Sequence, residues 1–262
     1  IREMSSTSLR GKSAIITGAT LGIGLATARL MAERGAKLCL ADINEAGLQQ
    51  VADELKSEGA EVVHCMVDVA SEDSNQQMAD CALEAFGQID IAHLNAGILV
   101  TKPILECDLE TWQRVINVNL NGVFLGIRSC APDMVKRGSG SIVVTASVSG
   151  ILGNKSMPSY TASKHGAVGL VKAASAELGE SGVRVNAVCP GATYTQMMIN
   201  SGLSIADVNN SEVAQMTVLG RVAEPREIGE MVCFLASDAA SYMTGGIYPV
   251  DGGMTAVGRK PI

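Results

Sequence analysis

Apolar residues alternate between two rhythms along the chain. Short runs rich in Val, Ile, Leu and Ala are followed by longer stretches in which apolar positions recur every three or four residues. The short runs predict strands at 13–17, 37–41, 61–67, 89–94, 141–145, 183–188 and 247–250. The periodic stretches predict helices over about 22–34, 45–56, from 71 onward, 109–136 in two pieces, 159–180 and 225–235. Ser71 with Asp73 in the next turn reads as a helix start, and Pro225 suits a first helical position. Strands that are apolar nearly throughout need cover on both faces. The expected fold is therefore one doubly wound α/β domain around a parallel sheet of about seven strands. No Pro- or Ser-rich linker and no internal repeat divides the chain. The expected organisation is a poorly ordered extension over 1–11, a domain over 12–254 and a tail over 255–262. Residues 193–220, the least regular stretch, are the candidate lid.

Composition narrows the possible partners. Of 262 residues, 47% are hydrophobic and 18% charged, which suits a large core and excludes a disordered chain. Twenty basic against 27 acidic residues give a net charge of −7, with no basic cluster. Nucleic acid and anionic membrane surfaces are not expected partners. Aromatic residues, at 3%, are too few for a base-stacking platform. No run of about 18 uncharged apolar residues offers a membrane span. The seven cysteines (Cys39, Cys65, Cys81, Cys107, Cys130, Cys189 and Cys233) are odd in number and contain no Cys-x-x-Cys pair. Buried reduced thiols in a cytoplasmic protein are expected, not a disulfide framework or a zinc site. His64, His93 and His165 are scattered, and no metal is expected.

Thr17-Gly-Ala-Thr-Leu-Gly-Ile-Gly24 follows the first strand directly and opens the first helix. Gly18, Gly22 and Gly24 permit a tight turn and a close backbone approach to a pyrophosphate. The helix N-terminus adds unpaired N–H donors. Thr20, Leu21 and Ile23 share this turn as candidate cofactor contacts. Asp42, beside Ile43 at the end of the second strand, is placed to accept from both ribose hydroxyls of an adenosine. Asp68 and Val69 follow the third strand, Asn95-Ala96-Gly97 the fourth, and Pro190-Gly191 with Thr193 and Thr195 the sixth. All lie where open α/β sheets bind ligands. A 2′-phosphate would meet like charge at Asp42, and residues 17–24 hold no Arg or Lys to compensate. NAD is expected over NADP.

Tyr160 and Lys164 stand four apart on one helical face. A free tyrosine titrates near ~10, and a neighbouring ammonium favours its phenolate. Lys164 is therefore expected to lower the Tyr160 pKa and make it a proton donor and acceptor. Ser147, at the end of the fifth strand, can hydrogen-bond a reacting oxygen.

Taken in order, these residues resemble the short-chain dehydrogenase/reductase family, from Lys12 to Met254. The resemblance rests on the 17–24 turn, Asp68, Asn95-Ala96-Gly97, Asn119, Ser147, Tyr160, Lys164 and Pro190-Gly191. It implies a Rossmann-type fold, a nicotinamide cofactor and a Ser–Tyr–Lys–Asn tetrad. In that tetrad Lys164 also holds the nicotinamide ribose, and Asn119 anchors a proton-relaying water. Spacing alone leaves Asn117 and Asn121 open beside Asn119. Leu94, where the family often has a second asparagine, and Thr145-Ala-Ser147, in place of a double serine, depart from the pattern without removing a tetrad residue. The resemblance also implies a homotetramer, using helices at 109–136 and 159–180 and the strand region 246–254.

The candidate lid contains no Lys or Arg, only Asp207 and Glu212 as charges. Leu99, Val100, Ser149, Ile151, Leu152, Tyr194, Met197 and Met198 fall on loops that should surround Ser147 and Tyr160. An apolar pocket is expected, for a neutral, mostly hydrophobic secondary alcohol or its ketone, cyclic or aryl-bearing. The alternatives are an NADPH-dependent carbonyl or 3-oxoacyl reductase, and a non-catalytic nucleotide sensor. The presence of Ser147, Tyr160 and Lys164 argues against the sensor.

Overall fold

Strand pairing follows the alternation of the sequence. β1 (Ser13–Thr17), β2 (Lys37–Asp42), β3 (Val62–Met66), β4 (Ile91–Leu94), β5 (Gly140–Thr145), β6 (Val183–Pro190) and β7 (Ile247–Val250) form one parallel sheet. The order is β3-β2-β1-β4-β5-β6-β7. The direction of winding reverses between β1 and β4, which opens a crevice at their carboxyl ends. The computed structural model describes residues 7–195, 204–209 and 211–257.

Helices α1 (Gly22–Glu33), α2 (Glu45–Ser57) and α7 (Pro225–Ala236) cover one face of the sheet. Helices α3 (Glu72–Phe86), α4 (Leu109–Ile116), α5 (Gly122–Arg137) and α6 (Pro158–Leu178) occupy the other side. Successive strand residues point to opposite faces. Ile16, Leu38 and Leu40 thus join Leu30, Leu48 and Ile228, while Ile15 and Cys39 join Met78, Ile127 and Val171. No helix among the described residues is long and apolar enough to cross a membrane.

Most boundaries shift by a residue or two, and three differences bear on how the elements are joined. β4 begins at Ile91, two residues late, because Asp90 uses its carboxylate to tie neighbouring elements. Its Oδ2 accepts from the Ser13 N–H at 2.8 Å, and its Oδ1 accepts from Arg137 at 3.0 Å. The helix expected in two pieces is continuous: a π-turn over Asn117–Asn121 joins α4 to α5. Order also begins before residue 12, since Leu9 is fully buried and its N–H donates to the Arg34 carbonyl at 3.0 Å.

Candidate active site

The turn between β1 and α1 is built around contacts that only glycine allows. Gly18 has φ +66°, a left-handed conformation. A Cβ at Gly24 would lie 2.0 Å from the Gly18 carbonyl oxygen. Thr17 Oγ1 accepts from the Asn95 and Ala96 N–H groups at 2.9 and 3.0 Å, and Asn95 Nδ2 donates to the Thr17 carbonyl at 3.1 Å. These bonds fasten the ends of β1 and β4 to each other. The N-cap of α1 is Leu21, which makes no side-chain cap bond. First-turn N–H donors thus remain available for an anion, which fits a dinucleotide diphosphate.

Asp42 is more constrained than its sequence position suggests. Its Oδ2 accepts from Thr20 N and Oγ1 at 3.1 and 2.8 Å, and its Oδ1 from Asn44 N at 3.1 Å. A carboxylate offers about four lone-pair sites. One site therefore remains, and accepting from both ribose hydroxyls would require displacing one of these bonds. Asp68 Oδ1 accepts from Ala70 N at 2.9 Å.

A cleft of about 760 Å³ runs along the carboxyl ends of the strands. Gly18, Thr20, Leu21, Gly22, Ile23, Asp42, Ile43, Asp68, Val69, Asn95, Ala96, Gly97, Pro190, Gly191, Thr193 and Thr195 all line it, together with Ser147, Tyr160 and Lys164. Of the cofactor candidates, only Gly24 stands outside the lining, behind the turn. Asn44, Val67, Ile98, Val118, Thr145 and Ala146 also line the cleft, though sequence reasoning did not select them.

At one end the catalytic candidates converge. Ser147, at the exit of β5, is buried and hydrogen-bonds Tyr160, and its Oγ accepts from Ser149 N at 3.1 Å. Lys164 is buried one helical turn beyond Tyr160. Its Nζ donates to the Thr145 carbonyl at 2.7 Å and sits 5.7 Å from the Tyr160 ring centroid. Burial brings the Lys164 ammonium down to about 8. Burial also pushes the Tyr160 phenol up, against a hydrogen bond from Ser147 that lowers it. The expectation that Lys164 lowers Tyr160 is therefore not met. The ammonium is itself desolvated and is aimed at a carbonyl.

The three asparagines separate cleanly. Asn117 and Asn121 bond each other across a helix surface at 2.9 Å. Asn119 is fully buried. Its Nδ2 donates to the Ile98 carbonyl at 2.8 Å and to Ser163 Oγ at 3.2 Å, while its Oδ1 accepts from Ile98 N at 2.8 Å. Both amide hydrogens are used, so a water held here must be taken by an oxygen of Asn119. Gly97 passes between these groups: a Cβ there would lie 3.3 Å from Asn119 Oδ1 and 3.5 Å from Lys164 Nζ.

Two supporting residues were missed. His93, fully buried on β4, pairs its Nε2 with Thr145 Oγ1 at 2.8 Å, and burial alone brings it down to about 3. It is a neutral prop beneath the residue whose carbonyl holds Lys164. Cys189 on β6 interacts electrostatically with both Tyr160 and Lys164, and burial pushes its thiol up. A polar side chain inside a wholly apolar strand was the available signal for His93.

The expected substrate wall is only partly assembled. Leu99 lines the cleft. Ser149 is buried and accepts from Asn154 Nδ2 at 2.7 Å, and Ile151 and exposed Leu152 lie beyond the lining. Tyr194 packs with Ala192 against Val208, Ala214 and Val222, so it braces the lid's own small core. Met197 and Met198 lie outside the described residues.

A family model described as enoyl-(acyl carrier protein) reductase matches residues 18–255. A cis-4-hydroxycyclohexanecarboxylate dehydrogenase from Sinomonas cyclohexanicum is 43% identical, over 93% of this chain and 96% of its own length. A cyclohexanol dehydrogenase from Acinetobacter sp. (strain SE19) is 37% identical, over 98% of this chain and all of its own. The crystal structure of a short-chain type dehydrogenase/reductase from Mycobacterium marinum superposes with a TM-score of 0.88 at 37% identity. That superposition covers 96% of this chain and 98% of the other.

Proposed function

Because the chain belongs to the short-chain dehydrogenase/reductase family and is a secondary-alcohol/ketone oxidoreductase, we propose that it uses NAD and acts on a neutral, mostly apolar cyclic substrate. The observation that carries this reading is the meeting of Ser147, Tyr160 and Lys164 at one end of a glycine-cradled cleft. The nicotinamide, when bound, takes or supplies the hydride. In the oxidative direction Tyr160, after its phenol proton has left to solvent, takes the substrate's hydroxyl proton at Oη. Ser147 Oγ donates to the same oxygen as it gains charge. Lys164 Nζ, fixed by the Thr145 carbonyl, keeps two N–H donors for a ribose hydroxyl. Asn119 holds the Ile98 segment against the site.

Support for NAD comes from Asp42, whose carboxylate Thr20 and Asn44 hold at the far end of the cleft. Support for a neutral substrate comes from the lid, which contains no Lys or Arg. The curated relatives above are named for alcohols on cyclohexane rings, one of them carrying a carboxylate. A homotetramer, and a reducing cytoplasmic setting suited to seven free cysteines, complete the proposal.

The test is steady-state turnover followed by NADH absorbance. Cyclohexanol, cis-4-hydroxycyclohexanecarboxylate, a 3-hydroxyacyl thioester and a 2-hydroxy acid are compared with NAD and with NADP. The highest kcat/KM is expected for cyclohexanol with NAD, and either of the last two substrates outperforming it overturns the neutral pocket. Tyr160→Phe should lower kcat by about 10²-fold or more with little change in fold. Wild-type turnover in that variant would overturn the mechanism.

A further inference from the structure

On the sheet face opposite α1 and α2, three thiols meet. Cys39 on β2, Cys65 on β3 and Cys81 on α3 have sulfur atoms all within 4.8 Å of one another. Cys39 is fully buried, while Cys65 and Cys81 are half-buried and give access from outside. Cys39 pairs with Val63, and Cys65 with Ala41, so the two cysteines are diagonal neighbours across the strands. With strands about 4.8 Å apart and a rise of about 3.3 Å per residue, their Cα atoms lie roughly 8 Å apart. A disulfide spans less than about 7 Å, so the sheet would have to distort to form one. A bridging atom fits better. Bonds of about 2.3 Å from one centre to three sulfurs separate those sulfurs by about 3.5 Å when the centre is pyramidal and about 4 Å when it is planar, both within the observed spacing.

Charge selects the bridging atom. Cys39 is surrounded by the two other thiols, and the charged group acting on Cys81 is the Glu84 carboxylate, an anion. Three thiolates around a divalent cation would leave a net negative charge in an apolar layer beside Glu84, which burial penalises. A trivalent centre leaves none.

We propose that Cys39, Cys65 and Cys81 form a binding site for a trivalent thiophilic oxyacid of the arsenite type, held as a neutral tris-thiolate. Capture breaks three As–O bonds and forms three As–S bonds. Each thiol proton leaves with a hydroxide as water, and arsenic stays trivalent throughout. Cys65 and Cys81, the two half-buried thiols, are the ones reached from outside, and fully buried Cys39 closes the site from within. Cys39 and Cys65 each stand three residues before Asp42 and Asp68.

The experiment uses the full chain, reduced with a phosphine so that no competing dithiol is present, and arsenite as the probe. Alkylation by iodoacetamide is mapped by peptide mass. Arsenite should protect Cys65 and Cys81 and leave the half-buried Cys107 reactive. Native mass spectrometry should show one arsenic bound per chain with three protons lost. Cys81→Ser and Cys65→Ser should each weaken binding about 100-fold, the advantage of one intramolecular ligand, and Cys107→Ser should not. Arsenite should raise the Tm of the wild type and of Cys107→Ser, and not that of Cys65→Ser. The proposal is overturned by equal protection of Cys107, by protection that survives Cys81→Ser, or by loss of only two protons. Cadmium protecting Cys65 and Cys81 at lower concentration than arsenite would overturn the charge argument.

Discussion

Lys164 is buried for the sake of its chemistry, and its burial has a measurable cost. Lys164→Met replaces a buried ammonium with an apolar chain of similar length. The folded protein holds the Lys164 proton with a pKa of about 8, against 10.5 for the free group. At 1.36 kcal/mol per pH unit, that difference amounts to about 3 kcal/mol. Its sign follows from proton linkage. Below about pH 8 both folded and unfolded chains carry the proton, and the cost of burying it is fully present. Between pH 8 and 10.5 the folded chain is neutral at this site while the unfolded chain is still charged. Unfolding then takes up a proton, so stability rises with pH until the cost has vanished. Against this, Lys164→Met loses the bond from the charged ammonium to the Thr145 carbonyl, worth about 2 kcal/mol. The variant should therefore be about 1 kcal/mol more stable than wild type at about pH 7, and should lose that advantage by about pH 10. Urea unfolding of both proteins at one fixed protein concentration measures this, since titrating groups other than Cys189, which faces Lys164, cancel between them, and Cys189→Ala in both backgrounds removes that one. A stability difference that does not change with pH, or a variant less stable at neutral pH, refutes the reasoning.

Three other outcomes follow from contacts described above. Asp42→Ala removes the carboxylate bonded to Thr20 and Asn44 and should narrow the kcat/KM preference for NAD over NADP by about 10-fold or more, read from NADH and NADPH absorbance. Ser147→Ala removes the hydrogen bond that lowers Tyr160, so the ascending limb of the kcat/KM–pH profile for alcohol oxidation, where Tyr160 must lose its proton, should move to higher pH, with lower turnover throughout. Arg137→Met leaves Asp90 and Asp133 without their partner and should cost about 2 kcal/mol by urea unfolding, at unchanged kcat/KM.

The sheet was legible because each strand is apolar on both faces, a pattern that only a doubly covered strand tolerates. The turn at the head of the cleft was equally legible, because the strand–turn–helix order around Gly18 and Gly24 carries its own steric reason. Other features depend on neighbours distant in sequence. Nothing in the local spacing separates Asn119 from Asn117 and Asn121; the bonds to Ile98 do. Lys164 at four residues from Tyr160 suggested a lowered phenol, and burial of both groups reverses that direction. Tyr194 read as a pocket residue because the lid's small core of Val208, Ala214 and Val222 exists only once the lid has folded back. Cys39, Cys65 and Cys81 come from three elements, and their meeting is a product of strand register and helix packing.

The π-turn over Asn117–Asn121 corrects a phase error. Val115, Asn119, Val123, Ile127 and Ala131 are all buried and recur every fourth residue. On an ideal helix each residue advances about 100°, so a four-residue step overshoots one turn by about 40°, and four such steps drift by about 160°. That drift would carry the series from the sheet toward water. A π-turn holds one extra residue, which takes back about 100° of the drift. The rod can thus keep Asn119 fixed on Ile98 and still press Ile127 and Ala131 against the sheet. Deleting any single residue from 117–121 would close the turn to ordinary pitch. The half of the rod after it would keep its phase, because the residue removed and the roughly 100° regained cancel. The change would fall on the turn itself, where Asn119 bonds Ile98, and not on the inner face of α5.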